Sequence, residues 1–409
     1  IAQRPLPSFF RRTGPFAHRN SRLYVAFTTL YNARAYYPVM AIFFTDLGLS
    51  LENFVLLNLV WAAAIVLLEV PSGALADTLG RKKLLVASAL IMVVEMGILL
   101  VAPKDGGWLL FGLCLLNRAL SGASEAAASG ADEALAYDSL PEQGREEAWD
   151  EVLGTSMRWR AAGFLIAMSL GGLLYDPTWL NRALVLLPGS PEISLGLAHR
   201  LPVALVFLQA LACLAITLRF EEPPREECDE SAFVHCRSAL RLTLRTARWA
   251  FTTRATALII LGGLLIDGIV RNFATVNSEY YRLIDLPEWS FGLIGSGIAV
   301  LNWYIPTIAR AVNRRTTPLG ALAVAAVVTF LALLAIGPAW PWIGILPAMI
   351  LMAVLGFLGF TVSRSLHALA DSSQRATLLS VKGLAFNLGY GSFSLLFSVA
   401  MAQLGKHAA

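Results

Sequence analysis

Residues 73–101 read GALADTLGRKKLLVASALIMVVEMGILLV, and this stretch decides the architecture. It opens as a turn marked by glycine and charge. It continues, over residues 84–101, as an 18-residue run whose one charge is Glu95. A helix needs about 20 apolar residues to cross the roughly 30 Å hydrocarbon core of a bilayer. Residues 319–336 form a similar run with no charge at all. Of the 409 residues, 56% are hydrophobic and only 15% charged, against roughly 25% charged in a soluble globular protein. The chain therefore reads as an all-α polytopic membrane protein. The same composition excludes a disordered chain, a nucleic-acid-binding protein and an ordinary cytosolic enzyme.

Eleven candidate spans extend outward from that stretch, at about 23–46, 53–76, 83–102, 108–137, 149–175, 201–219, 256–282, 290–311, 318–337, 341–366 and 377–402. Hydropathy can find them because backbone groups in lipid must be satisfied within a helix. With the amino terminus inside, alternate polar segments hold 20 Lys and Arg, and the opposite loops hold Lys104, Arg182 and Arg200. The positive-inside rule then predicts a cytoplasmic amino terminus, in a bacterial inner membrane or a plasma membrane. The polar stretch 219–254 separates six spans from five. It divides the chain into a helix bundle over 1–219, a cytoplasmic linker over 220–254 and a second bundle over 255–409.

Within the linker, Arg237, Arg241, Arg245 and Arg248 recur at helical spacing, with Leu240, Leu244, Ala247 and Phe251 between them. That pattern predicts an interfacial amphipathic helix, or a linker helix with a solvated face. The halves also carry weak repeats. Val70-Pro71-Ser72 matches Ile305-Pro306-Thr307, and Asp138-Ser139 matches Asp371-Ser372. Parallel six-helix halves are one transporter design. On that scheme a twelfth span is expected after residue 402, either missing beyond Ala409 or absent from an eleven-span protein.

Gly73-Ala74-Leu75-Ala76-Asp77-Thr78-Leu79-Gly80-Arg81-Lys82-Lys83-Leu84 carries physics of its own. Gly73 permits close helix approach and Gly80 a tight turn. Asp77 can pair with a cation or a helix amino terminus, and Arg81, Lys82 and Lys83 suit an anionic leaflet. The segment resembles the GxLaDrxGRkxxl loop of the major facilitator superfamily, and it lies between the second and third spans as that loop does. Arg118 with Gly122 resembles the family's RxxxG pattern in the fourth span. Gly154, Gly163, Gly171 and Gly172 resemble the glycine spacing of drug/proton antiporters, although Ala167 and Met168 stand where that motif has Gly-Pro. Packing of small residues between membrane helices also explains these glycines. The resemblance implies two pseudo-symmetric six-helix bundles around a central cavity that opens to alternate sides. In the second half, residues 310–315 keep the basic charge without the aspartate. The gate on the cytoplasmic face is therefore expected at Gly73, Asp77, Gly80 and Arg81.

Ionisable residues at mid-bilayer cost at least about 2.5–3.5 kcal/mol and are functional candidates. Arg34, Glu95, Arg118, Arg158, Asp267 and Arg271 fall near that depth. Tyr31, Arg34 and Tyr37 are expected on one helical stripe before Pro38. There Arg34 either receives an anionic substrate through charge-assisted hydrogen bonds or pairs with a carboxylate such as Glu95. Arg118, Gly122, Glu125, Ser129 and Asp132 are expected as one continuous polar stripe, with Arg118 toward the cavity and Glu125 and Asp132 in the gate. Asp267 and Arg271, at i and i+4, can pair on one face, as a proton-responsive switch or as a static pair. Asn272 adds polarity beside them, and Lys382 is expected to snorkel to the interface. Cys228, His235 and Cys236 match no zinc spacing. No phosphate-cradling loop and no catalytic constellation stands out, so neither a cofactor nor enzyme activity is expected.

The expected function is secondary active transport by alternating access. The cargo would be a small organic anion or an amphiphile with an anionic group, and Asp267 or Glu95 would carry proton coupling. Tyr31, Arg34, Tyr37, Arg118, Arg271 and Asn272 are the substrate-binding candidates. The expected partners are a small-molecule substrate, protons and membrane lipid, with the protein a monomer. A multidrug/proton antiporter is the alternative within transport, and a non-transporting membrane receptor or scaffold the alternative of another class.

Overall fold

A computed structural model describes residues 14–185, 192–222, 232–369 and 375–408. The side chains of Asp77, Ala232, Phe233, His235, Arg375 and Ala376 and of residues 404–408 lie outside that description, as do Cys228 and Asp371. The helices are α1 (Arg19–Asn32), α2 (Met40–Asp46), α3 (Leu51–Leu79), α4 (Arg81–Val101), α5 (Gly107–Ala128), α6 (Ala131–Asp138), α7 (Arg145–Tyr175) and α8 (Pro177–Leu184). They continue with α9 (Leu195–Thr217), α10 (Ala232–Thr252), α11 (Arg254–Leu283), α12 (Glu288–Arg315), α13 (Pro318–Ile336), α14 (Ile345–Leu369) and α15 (Arg375–Ala408). Strands are absent among the described residues.

Local chemistry sets the helix ends. The Ser50 hydroxyl accepts from the Asn53 amide at the start of α3, and Asp176 accepts from Thr178 and Trp179 ahead of Pro177 in α8. Both arrangements satisfy amide groups that the first turn leaves open. Gly80 joins α3 to α4 at φ 114°, a conformation that side chains other than glycine's resist. Arg314 and Arg315 close α12, where cations complement the helix dipole.

Two expected spans are broken, which corrects two expected stripes. The first runs as α1, a non-helical passage at 33–36, a 3₁₀ turn at Tyr37–Val39, and α2. Pro38 lacks an amide donor and disfavours helix at the residue before it. Tyr31, Arg34 and Tyr37 therefore do not share a helical face. The fourth runs as α5 and α6, parted at Gly130 with φ 74°. Asp132 thus starts a second helix instead of continuing the face that bears Arg118 and Glu125.

Among the described residues, eight helices are long and apolar enough to cross a membrane: α3, α4, α9, α11, α12, α13, α14 and α15. The two broken spans and α7, whose first half is polar, make up the rest of the expected eleven. Because the helices alternate in direction, one end of the molecule carries the Gly80 turn, the start of α7 and the linker helix α10. It is called the basic end here, and its opposite the far end. The apolar core divides in two. One cluster fills the first bundle and also takes in Val276, Tyr280, Tyr281, Ile284 and Phe291 from the far ends of α11 and α12. The other occupies the rest of the second bundle, with Ile260, Leu351, Leu358 and Leu366 at its centre. The bundles are thus fused at the far end.

Candidate functional site

Arg34 sits in the break between α1 and the 3₁₀ turn. Its Nη1 lies 2.5 Å from Glu95 Oε1 on α4, with side-chain exposures of 5% and 0%. Asn117 Nδ2 donates to the Glu95 carbonyl at 2.8 Å, and Tyr31 lies beneath the guanidinium at 5.3 Å. The Tyr31 hydroxyl is 2.8 Å from Ser124 Oγ, in a small cluster with Ser88. The structure therefore brings Arg34 and Glu95 together as a closed ion pair. Glu95 is sealed from solvent and Tyr31 nearly so.

Arg118 is buried on α5, and no carboxylate is bound to it among the described residues. Its Nη2 donates to Asn58 Oδ1 at 2.9 Å, its guanidinium lies 5.6 Å over Trp61, and its Nε has no partner. Trp61 on α3 meets Tyr390 on α15 edge-on, with ring centroids 6.0 Å apart. Tyr390 in turn lies 5.4 Å beneath Arg271. Two arginines, one from each bundle, thus bracket an aromatic pair that crosses the seam between them. Cations favour such ring faces electrostatically, and edge-on aromatic pairs are attractive.

Arg271 and Asp267 do pair, at 2.7 Å, and Arg271 Nη1 donates to Asn387 Oδ1 at 3.1 Å. Lys382 is close enough to act on both electrostatically. It donates to Ser363 Oγ at 3.1 Å and lies 5.7 Å over Phe386. This tether replaces the expected snorkelling. Asn272 is engaged in full. It donates to the Gly268 carbonyl at 2.8 Å and to the Tyr390 carbonyl at 3.4 Å, and it accepts from Ser394 at 2.8 Å. The structure makes Asn272 a strut between α11 and α15.

Glu125 and Tyr37 mark the hollow. Both are exposed, Tyr37 to 40%. Both also sit inside the protein within electrostatic reach of Arg34 and Arg118, and Glu125 within reach of Arg271 as well. Glu125 accordingly faces that hollow, on the face of α5 that bears Arg118. Asp132 stands apart from it, bonded to the Glu133 amide at 2.8 Å in the first turn of α6. Gly122, between Arg118 and Glu125, packs on α3, where an added Cβ would come within 2.6 Å of the Trp61 carbonyl oxygen.

The walls of the hollow close toward the far end. On α7, residues 154, 158, 161, 165, 168 and 172 share one face. At Gly172 an added Cβ would come 2.7 Å from the Gly292 amide of α12, whereas at Gly154 it would meet nothing within 4 Å. Ser169 and Ser296 are bonded at 2.9 Å, and Ser296 donates to the Leu165 carbonyl at 3.0 Å. Arg158, on the parted half of this face, is exposed and donates to Thr155. Further out, Asp46 accepts two bonds from Arg282, at 3.0 and 2.9 Å, and one from Tyr175 at 2.6 Å. Glu288 holds Arg282 at 2.5 Å, Glu279 accepts from Thr45, and His199 stacks on Tyr175 at 4.2 Å.

At the basic end, Arg81 pairs with Asp138 and donates to the Ala134 carbonyl at 2.8 Å. The amides of Arg81 and Lys82 donate to the Glu222 carboxylate at 2.9 and 2.8 Å, which caps α4 with negative charge. These bonds stay within the first bundle and the start of the linker. Gly73 makes no close approach, since a Cβ there would meet nothing within 4 Å. The side chain of Asp77 lies outside the described residues.

Sequence reasoning passed over Asn58, Trp61 and Tyr390, and ranked Asn387 low. Asn58 carried a usable signal, as the one amide in the apolar run 54–68. It also passed over the far-end cluster. The signal there was positional, for Asp46 ends the first span and Arg282 the seventh, corresponding places in the two halves. Among the described residues no group of three His, Cys, Asp or Glu side chains could hold a metal ion.

Comparison with known proteins fits this geometry. The family model described as Major Facilitator Superfamily matches residues 23–394. The chain belongs to the Major Facilitator Superfamily. As a member, it is a multi-pass integral membrane protein with the fold of transporters. A bacterial homolog of the human lysosomal transporter Spinster, solved inward-facing and unoccupied, is similar at TM-score 0.67 and 17% identity, covering 92% of this chain and 81% of that one. The nucleoside transporter NupG is similar at TM-score 0.68 and 14% identity, covering 93% and 89%. A D-xylose–proton symporter is similar at TM-score 0.64 and 13% identity, also covering 93% and 89%. No curated protein sequence matches the chain. At these identities the likeness to this superfamily's solved members is one of fold, and fold does not name a substrate.

Proposed function

We propose that the protein is a secondary active transporter in which residues 1–219 and 255–409 move as two bodies by alternating access. The conformation described is read as open at the basic end and closed at the far end. With the amino terminus in the cytoplasm of a bacterial inner membrane or plasma membrane, as the basic loops favour, that is the inward-open state. The cargo is a small organic anion, or an amphiphile with an anionic group. The observation that carries this reading is Arg118, a buried guanidinium with a free Nε and no carboxylate bound to it, beside aromatic faces at the seam. A buried cation of this kind needs an acceptor, and an anionic group meeting Trp61 and Tyr390 would supply one. Arg34 serves as a structural cation, closed by Glu95, and Arg271 is the second anchor. Asp267 is the proton-coupling candidate, since its neutralisation would release Arg271 toward the cavity.

Uptake into proteoliposomes tests this with a matched series: labelled benzoate, benzamide and benzylamine, then indole-3-acetate. Anion uptake that Arg118→Gln lowers at least tenfold, and that Asp267→Asn uncouples from an imposed pH gradient, is the expected result. A second reading, export of cationic drugs with proton exchange, is favoured by the Glu125 carboxylate in the cavity. Accumulation of benzylamine or ethidium with no anion transport would select it and displace the anion assignment.

A further inference from the structure

The linker helix α10 covers a groove that the transport cycle leaves unexplained. The groove encloses about 710 Å³ between α3 and α15, within the range of ligand pockets. Its walls are Val66, Val70 and Pro71 of α3, with Val381, Leu384 and Leu388 of α15. Its roof is one face of α10: Cys236, Leu240, Thr243, Leu244, Ala247 and Phe251. At 3.6 residues per turn those six positions fill an arc of about 100°. Arg237, Arg241 and Arg248 fall together in an arc of about 40° along one margin of that face. Arg245 lies just beyond. All four arginines are exposed, and none takes part in an ion pair or hydrogen bond among the described residues. The roof is itself uncovered: Leu244 is 61% exposed and Leu240 and Phe251 are exposed beside it. An apolar channel edged on one side by a row of exposed guanidinium groups matches an amphiphile, not a soluble anion or an apolar peptide. Basic side chains at a membrane surface attract anionic headgroups, and acyl chains satisfy the apolar wall.

We infer that this groove is a binding site for an anionic phospholipid, with an acyl chain between α3 and α15 and the phosphate held by Arg237, Arg241 and Arg248. The site is separate from the cavity that holds Arg118. Its occupant spans the seam between the two bundles, because α3 and α15 belong to different ones. The lipid therefore stabilises the arrangement in which the groove has this width.

Native mass spectrometry of the full-length protein in detergent, titrated with phosphatidylglycerol and with phosphatidylcholine of the same acyl chains, tests the site. One retained phosphatidylglycerol, bound at least tenfold more tightly than phosphatidylcholine, is expected. The triple variant Arg237→Gln, Arg241→Gln, Arg248→Gln should bind the two lipids equally, and Ser392→Trp, which fills the groove wall, should weaken both. Glycerol 3-phosphate should not compete. Equal binding of the two lipids by the unaltered protein would overturn the inference, as would a preference that survives the triple variant or displacement by glycerol 3-phosphate. Elution volume and melting temperature of each variant show whether it is folded. If the glutamine variant is unfolded, the triple Arg→Lys variant, which should retain part of the preference, decides in its place.

Discussion

Asp46→Asn is the sharpest perturbation of the far-end closure. The substitution keeps the shape of the side chain and its bond from Tyr175, but removes the charge that holds Arg282. Two bonds, at 3.0 and 2.9 Å, cross from one bundle to the other at this point. Hydrogen bonds to charged groups contribute about 1.5–3 kcal/mol when protected. Exposed ion pairs contribute about 0–1 kcal/mol. With side-chain exposures of 22% and 35%, the pair belongs between these limits, at about 1.5 kcal/mol. These bonds exist only while the far end is closed, so their loss moves the open/closed equilibrium by roughly tenfold. Spin labels at Lys104 and Trp340, both exposed at the far end and on different bundles, report the two populations by pulsed electron resonance. The native cysteines are replaced first. Glu288→Gln is the control, because Glu288 and Arg282 share a bundle and its loss leaves the crossing bonds in place. An unchanged distance distribution in Asp46→Asn, or an equal shift in Glu288→Gln, would refute the assignment of this pair as the far-end closure.

Three further outcomes follow from the packing. Arg34→Met leaves the Glu95 carboxylate buried without its cation and should cost about 3–5 kcal/mol in thermal unfolding, while Arg34→Met with Glu95→Leu should recover most of that loss. Gly172→Ala should disfavour far-end closure, because α12 already occupies the space of the added carbon; the same spin-label pair reads it as a gain in the open population. Gly154→Ala, on the same face but facing open space, should leave the distances unchanged and raise the melting temperature slightly through its helix preference.

Much of the fold was legible because oil-soluble helices announce themselves by length, and the Gly80 turn and the i, i+4 pair of Asp267 and Arg271 are local. The Arg34–Glu95 pair was one of two open readings, since hydropathy gives depth but not facing. Facing failed at Asp132. Two residues before it, Gly130 at positive φ parts α5 from α6, and a periodicity count cannot see a break made by one backbone angle. The seam of Trp61 and Tyr390 lay beyond reach for another reason. Aromatic residues in a membrane helix are ordinary, and only the crossing of α3 and α15 gives these two a common neighbour.

The close contact of α7 with α12 has a mechanical corollary. Met168 of α7, near its contact with α12, stands 23 residues from Arg145 at the helix start, a lever of about 35 Å at 1.5 Å per residue. A turn of about 15°, of the size seen when subunits rotate, sweeps the tip through about 9 Å while atoms beside the fulcrum move by little more than a bond length. Side chains at mid-height can thus keep hold of a passenger while the mouth of the vestibule widens or shuts.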